Sequence, residues 1–163
     1  MKKLPAKSLL QNRPQNTLAA RAYAFLLLKF RLRSQSELLQ RLKQKGFSEE
    51  LSRETIDFLK EKEFIDDRVF AKGWVGSRLK RPFGLRRIKL ELSAKGLDKE
   101  IIEEALTRAK KDYDEKEVVA DLARQRLSKQ KGIEPQKAKA RVYAYLLRRG
   151  FSPDTVNDVI KQL

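Results

Sequence analysis

Apolar residues recur along this chain at helical spacing, and in three places the recurrence is broken by the same four-residue signal. Lys45-Gly46-Phe47-Ser48, Lys95-Gly96-Leu97-Asp98 and Arg149-Gly150-Phe151-Ser152 each read basic, glycine, apolar, cap. Four and eight residues before the glycine stand Leu42 and Leu38, then Leu92 and Ile88, then Leu146 and Val142; ten and thirteen after it stand Ile56 and Leu59, Leu106 and Ala109, Ile160 and Leu163. Such spacings place apolar side chains on one face of an α-helix. The glycine suits the left-handed residue that follows a helix, where a Cβ is disfavoured. The Ser or Asp two residues later can cap the next helix, and Pro153 takes the favoured first helical position in the last copy. The pattern predicts one helix-turn-helix unit used three times.

The central copy is the most fully punctuated. Pro82 and Gly84 mark a turn, Leu85 to Lys95 reads as a helix, and Asp98 caps a second helix that buries Ile101, Ile102, Ala105, Leu106 and Ala109. Glu100, Glu103 and Glu104 favour the positive end of that helix dipole. Upstream, residues 1–16, basic and without a helical period, are expected to form a flexible arm. Thr17 to about Leu32 is a helix with Ala22, Phe25, Leu26 and Phe30 inward and Arg21, Lys29, Arg31 and Arg33 toward water. Ser34 or Ser36 caps Glu37 to Lys45, and Glu49 to about Lys62 is the third helix. Asp66 caps a helix from Asp67 whose buried stripe is Phe70, Trp74, Val75 and Leu79, with Gly73 and Gly76 inside it. Beyond the charged junction Lys110 to Lys116, helices are expected over Glu117 to about Lys129, Gln136 to Arg149 and Pro153 to Leu163. The expected fold is all-α: three tandem three-helix repeats over 17–64, 65–111 and 112–163, sharing core with their neighbours in an elongated, curved body.

Composition narrows the function. Of 163 residues 37% are charged, the formal net charge is +16, and aromatic residues make up 8%. That balance points to an anionic partner, most often nucleic acid, sometimes an acidic protein or a membrane surface. The chain has no cysteine and no histidine. Disulfides and thiolate chemistry are therefore excluded, and the usual transition-metal ligand sets are missing. Asp66-Asp67 lacks a third oxygen-donor cluster nearby, so it reads as a cap rather than a cation site. No Gly-rich phosphate loop occurs. We expect no catalytic residues, no cofactor and no metal, and a monomer in the cytoplasm, since no apolar run could span a bilayer.

A helix-turn-helix pattern suggests sequence-specific DNA recognition, but the charges oppose it. The helix after each turn would enter the major groove by its N-terminal residues, which here are Glu49 and Glu50, Glu100 and Glu103, and Asp154. Positive charge gathers instead on the arm and on the earlier helices, so contacts with nucleic acid should be to its backbone and salt-sensitive. The candidate surface for a partner or for DNA backbone is Arg78, Lys80, Arg81, Arg86, Arg87, Lys89, Leu90 and Lys95. On the helix from Leu85, with Ile88 and Leu92 inward, Arg86, Leu90 and Ser93 lie opposite, making Leu90 an exposed apolar residue ringed by cations.

Several of these stretches carry a family resemblance. Asp66-Asp67-Arg68-Val69-Phe70-Ala71, Ser77-Arg78-Leu79, Gly84-Leu85-Arg86-Arg87-Ile88, Glu91-Leu92 and Lys95-Gly96 resemble the signature of the RecX family of recombination regulators. Ser36-Glu37-Leu38, Leu42 and Lys45-Gly46-Phe47 are similar to its first repeat; Ala140-Arg141 and Arg149-Gly150-Phe151 match its third more loosely. Leu85 stands where the family often has proline. The resemblance implies a non-catalytic protein that binds the RecA recombinase, as monomer and as filament on single-stranded DNA, and lowers its ATP hydrolysis, strand exchange and coprotease function. ATP and magnesium would then belong to the partner. The alternative from the residues alone is a free-standing, sequence-independent binder of single- or double-stranded DNA backbone, with a structural scaffold third.

Overall fold

The computed structural model describes residues 16–163; the arm expected at 1–16 lies outside them except for Asn16. Among the described residues are nine α-helices and no strand: α1 Thr17–Phe30, α2 Gln35–Lys45, α3 Glu49–Glu61, α4 Asp67–Leu79, α5 Leu85–Ala94, α6 Lys99–Ala109, α7 Glu115–Ser128, α8 Pro135–Arg148 and α9 Pro153–Gln162. They fall into two compact units, one ending at Asp66 and the other spanning Asp67–Leu163.

The repeated turn is the same in each copy. Gly46, Gly96 and Gly150 have φ of 100°, 72° and 87°. The residue after each glycine donates its N–H to the carbonyl five residues back, Phe47 to Leu42, Leu97 to Leu92 and Phe151 to Leu146. Each glycine N–H bonds three residues back, which completes a Schellman closure of the helix end. The leucines that accept these bonds, and the apolar residues one turn earlier, are the six most regular core positions: Leu38, Leu42, Ile88, Leu92, Val142 and Leu146 are all fully buried.

The first unit packs α1, α2 and α3 around Leu38, Leu42, Leu51, Ile56, Leu59 and Ile65. Ser34 caps α2 in a full capping box, its hydroxyl accepting from Glu37 N while the Glu37 carboxylate accepts from Ser34 N. The inward face of α1 differs from the expected one. Ala20 and Ala24 are buried, whereas Ala22, Phe25, Leu26 and Phe30 are exposed, with Phe30 at 76%. Alanines let α1 lie close to its neighbours, and the rings that hydropathy placed inside line the outer side, where Phe25 meets Phe64 edge-on at 4.8 Å. Arg21, expected in water, is half-buried and lies over the Phe58 ring at 3.7 Å.

The second unit holds two bundles with separate cores: α4–α6 around Phe70, Val75, Ile88, Leu92, Ile102 and Leu106, and α7–α9 around Val119, Val142, Leu146, Phe151, Val156 and Val159. The expectation of shared core thus fails here, because the bundles meet through their turns rather than their apolar faces. In α9 the buried positions are Val156 and Val159, not Ile160 and Leu163, which are half-buried and exposed. Ile56, Leu59 and Leu106 are buried as expected, and six residues after each turn glycine Ser52, Ile102 and Val156 are buried in every copy. Asp98 stands at the N-cap of α6, yet its carboxylate accepts no capping bond.

The joint between these two bundles is made by backbone. Gly84, the N-cap of α5, donates its N–H to the Arg149 carbonyl at 3.0 Å. Gly84 has φ −70°, a conformation open to any residue; its lack of a side chain is demanded by space. A Cβ there would stand 2.1 Å from the Gly150 oxygen, and one on Gly150 would stand 2.2 Å from the Arg87 Cβ. Glu115, in the first turn of α7, reaches across the joint. One of its oxygens accepts from Leu85 N at 3.4 Å and the other from Ser152 N at 3.2 Å, so a single carboxylate serves the N-termini of α5 and α9. Beside it the Tyr113 hydroxyl donates to the Phe83 carbonyl at 3.5 Å, and burial, then the Glu115 charge, push its phenol up to about 12.

Candidate functional site

Phe83 precedes the joint glycine, and three guanidinium groups gather on its ring. Arg87 lies 4.4 Å from the ring centroid, Arg149 4.9 Å and Arg78 5.8 Å. Two come from the α4–α6 bundle and one from the turn after α8. Arg149 donates from its Nε to the Tyr145 hydroxyl at 3.0 Å and from a terminal nitrogen to the Arg81 carbonyl at 2.8 Å. Arg87 donates to the Arg148 carbonyl at 3.4 Å. The second unit is therefore sealed at this edge by arginines that reach from one bundle to the backbone of the other.

Glu91 is the carboxylate on which this cluster converges. It accepts from Arg78 Nε at 2.6 Å, from Trp74 Nε1 at 3.0 Å and from Arg87 Nε at 3.1 Å. Desolvation pushes its pKa upward, but the hydrogen bonds from Arg87, Arg78 and Trp74 together outweigh that and hold the carboxyl below its ordinary value. Arg78 also stacks on Trp74 at 4.4 Å, and the Lys95 ammonium lies 4.2 Å from the same ring. Trp74 is half-buried and stacked on Phe70, so it belongs to the core edge while carrying cations on its face. A further cation, Arg126 of α7, lies over Tyr145. The arrangement is a plate of aromatic rings overlaid by more positive than negative charge, suited to phosphate or carboxylate groups.

The structure divides the eight expected site residues. Arg78, Arg87 and Lys95 come together in the cluster around Glu91, Trp74 and Phe83. Arg81 is exposed beside it and lends its carbonyl to Arg149. Lys89 is drawn to Glu103 on α6, whose carboxyl is held below its ordinary value by that hydrogen bond. Arg86 and Leu90 project into solvent, Leu90 at 70% exposure. The cations expected to ring Leu90 are thus largely engaged elsewhere, and Arg86 is the one that stands out beside it. Lys80 faces a different concavity, between α4 and α6.

Phe83, Glu91 as a hub, Tyr145, Arg126 and Arg149 were not singled out by sequence reasoning as site residues. Their pairings join positions as far apart as 68 residues, which no local period encodes. The available signal was Arg149 itself, the basic residue of the third turn motif, which faces Phe83 of the second. Among the described residues no group of three or more acidic side chains gathers as a metal site, and no helix is long and apolar enough to cross a membrane.

Comparison with known proteins fits this repeat structure. Three family models, described as the first, second and third three-helix domains of RecX, match residues 20–59, 66–106 and 112–160. The regulatory protein RecX of Chlorobium limicola is 34% identical over 145 residues, covering 88% of this chain and 89% of that protein. The regulatory protein RecX of Clostridium botulinum strain Eklund 17B is 34% identical over 133 residues, which cover 80% of this chain and 62% of that longer relative. The crystal structure of RecX from Lactobacillus salivarius superposes with a TM-score of 0.78 at 26% identity, covering 90% of this chain and 96% of that one. Fold and turns together define a regulatory protein built of tandem three-helix domains. The chain belongs to the RecX family.

Proposed function

We propose that this protein binds the RecA recombinase, both as monomer and as a filament on DNA, and inhibits its ATPase, strand-exchange and coprotease activities without catalysing a reaction itself. The observation that carries this reading is the match of all three helical domains to the RecX family, with the signature residues Arg78, Arg87, Glu91 and Lys95 assembled into one cluster. Within the proposed contact surface, Arg81, Arg86 and Leu90 make direct contact, while Lys80, facing the α4/α6 side, lies apart from them. Arg78, Arg87 and Lys95 hold the plate on which those residues are carried, and Lys89 braces α5 against α6. Reading DNA backbone is the second function we assign to this surface. The carboxylates at the starts of α3, α6 and α9 favour backbone over base contact, since Glu49, Glu50, Glu100 and Asp154 are exposed where a recognition helix would meet the groove.

Charge reversal at Arg86 tests the surface. Arg86 is exposed and outside the core, so Arg86→Glu should change stability by less than about 0.5 kcal/mol. Binding to RecA filaments on single-stranded DNA, followed by surface plasmon resonance, should weaken by about 1 kcal/mol or more. Lys89→Glu is a poorer probe, because it would set two carboxylates against each other across α5 and α6. Full-strength filament binding by a folded Arg86→Glu protein removes this face from the interface.

A further inference from the structure

On α4 and α6 the apolar stripe is wider than the bundle needs. Phe70, Ala71 and Val75 of α4 and Ile102 and Leu106 of α6 are buried in the core. Ile101, Ala105 and Ala109, which the helical period also assigns to the interior, are only half-buried, and Val69 is 55% exposed. These residues, with Leu79 and Gly76, floor a groove of about 730 Å³ between the two helices. A Cβ built on Gly76 meets nothing within 4 Å, so the groove is open above it. From Val69 to Leu79 the floor runs ten residues along α4, about 15 Å or three helical turns.

The rim is basic. Arg68 and Arg108 both pair with Glu104, which leaves that carboxylate fully engaged. Lys72 and Lys80 also line the groove and form no ion pair among the described residues, and Asp112 is a further lining carboxylate. An apolar floor three turns long between two helices, bordered by cations, has the shape and charge of a helix-in-groove receptor. We propose that the α4/α6 groove is a docking site for a three-turn amphipathic helix of a partner protein, its apolar stripe seated on Val69, Gly76, Leu79, Ile101 and Ala105 and its flanks carrying carboxylates that meet Lys72 and Lys80. The site is distinct from the Phe83 cluster, and the proposal stands whether or not RecA supplies the helix.

The test uses the full-length protein and a fluorescent, hydrocarbon-stapled three-turn peptide with leucines at i, i+4 and i+7 and glutamates on both flanks, followed by anisotropy. Saturable binding is expected. Gly76→Leu should lower the affinity by about tenfold or more by filling the groove, while its melting temperature stays level or rises, because leucine is the better helix former at an uncrowded position. Lys72→Glu with Lys80→Glu should reduce binding of the acidic peptide by about tenfold and raise binding of a lysine-flanked version of the same peptide. No binding by the acidic peptide, equal binding of the lysine-flanked one to the native protein, or indifference to Gly76→Leu would each overturn the proposal. So would a dimer in sedimentation that Gly76→Leu dissolves, since the occupant would then be a second copy.

Discussion

Gly46 and Gly150 hold the same place in the same turn, one in each unit, with φ of 100° and 87°, yet the described residues around them differ. Among the described residues no atom lies within 4 Å of a Cβ built on Gly46, while one on Gly150 would run into the backbone and Cβ of Arg87. The first glycine answers a local demand, the left-handed end of a helix. The second answers that demand and a further one, the approach of another bundle. A repeated motif in this chain therefore stays constant in conformation while its energetic weight grows where repeats meet. In the second unit the joint draws on Gly84, Gly150, Glu115 and the arginines on Phe83.

Substitution at the joint should have the largest effect. Gly84→Ala has no backbone conformation to overcome, so its whole cost comes from the Gly150 carbonyl 2.1 Å from the new methyl. About 3 kcal/mol of destabilisation is expected, read from the denaturant midpoint of the full chain, as overpacking against a main chain that cannot easily withdraw. A cost under 0.5 kcal/mol would mean that the two turns are not in contact in solution. Glu115→Ala should follow at about 1 to 2 kcal/mol, since two backbone N–H groups lose a charged acceptor. Hydrogen exchange makes that assignment specific: the amides of Leu85 and Ser152 should quicken while those of α2 and α3 stay unchanged.

Glu91 adds a dependence on pH with a definite sign. Its carboxyl is held below the ordinary carboxylate range in the folded protein, so the unfolded chain takes up the proton first as pH falls. The stability it confers is present above the unfolded value and is lost as pH falls through the folded value. Glu91→Gln should therefore be destabilised at neutral pH by about 1 kcal/mol, with the gap from the native protein closing in acid. A gap that widens in acid would mean that Glu91 is not held ionised by Arg78, Arg87 and Trp74. The smallest effect of the series belongs to the first turn: Gly46→Ala should cost about 1 kcal/mol, the strain of a side chain at positive φ. Equal losses at Gly46 and Gly84 would erase the contrast between the turns.

Local chemistry was readable in the sequence where it repeats. The three Schellman turns, the six fully buried residues before them and the first helical residue of α4, α5, α6 and α9 follow from glycine position, caps and period. The face of α1 was misread because the helix is apolar on more than one side. Phe25, Leu26 and Phe30 outweigh Ala20 and Ala24 in hydropathy, although the small residues are those that permit close packing. Gly84 was read as a turn residue, whereas its φ is unexceptional and its reason lies in a carbonyl 66 positions away. Of the candidate cations, Arg78, Arg87 and Lys95 come together while Lys80 and Lys89 stand apart. Their division was not legible in the sequence, because it depends on Glu91, Phe83 and Glu103, partners that tertiary packing selects.

The central functional claim is inhibition of RecA through the filament, and the ATPase rate of RecA on single-stranded DNA tests it most directly. Added at amounts well below one per RecA subunit, this protein should lower the steady-state rate, because a filament binder acts on many subunits for each molecule bound. Inhibition that appears only when the protein matches the DNA sites in number, and that is abolished by moderate salt, would contradict the claim and identify a competitor for DNA backbone instead.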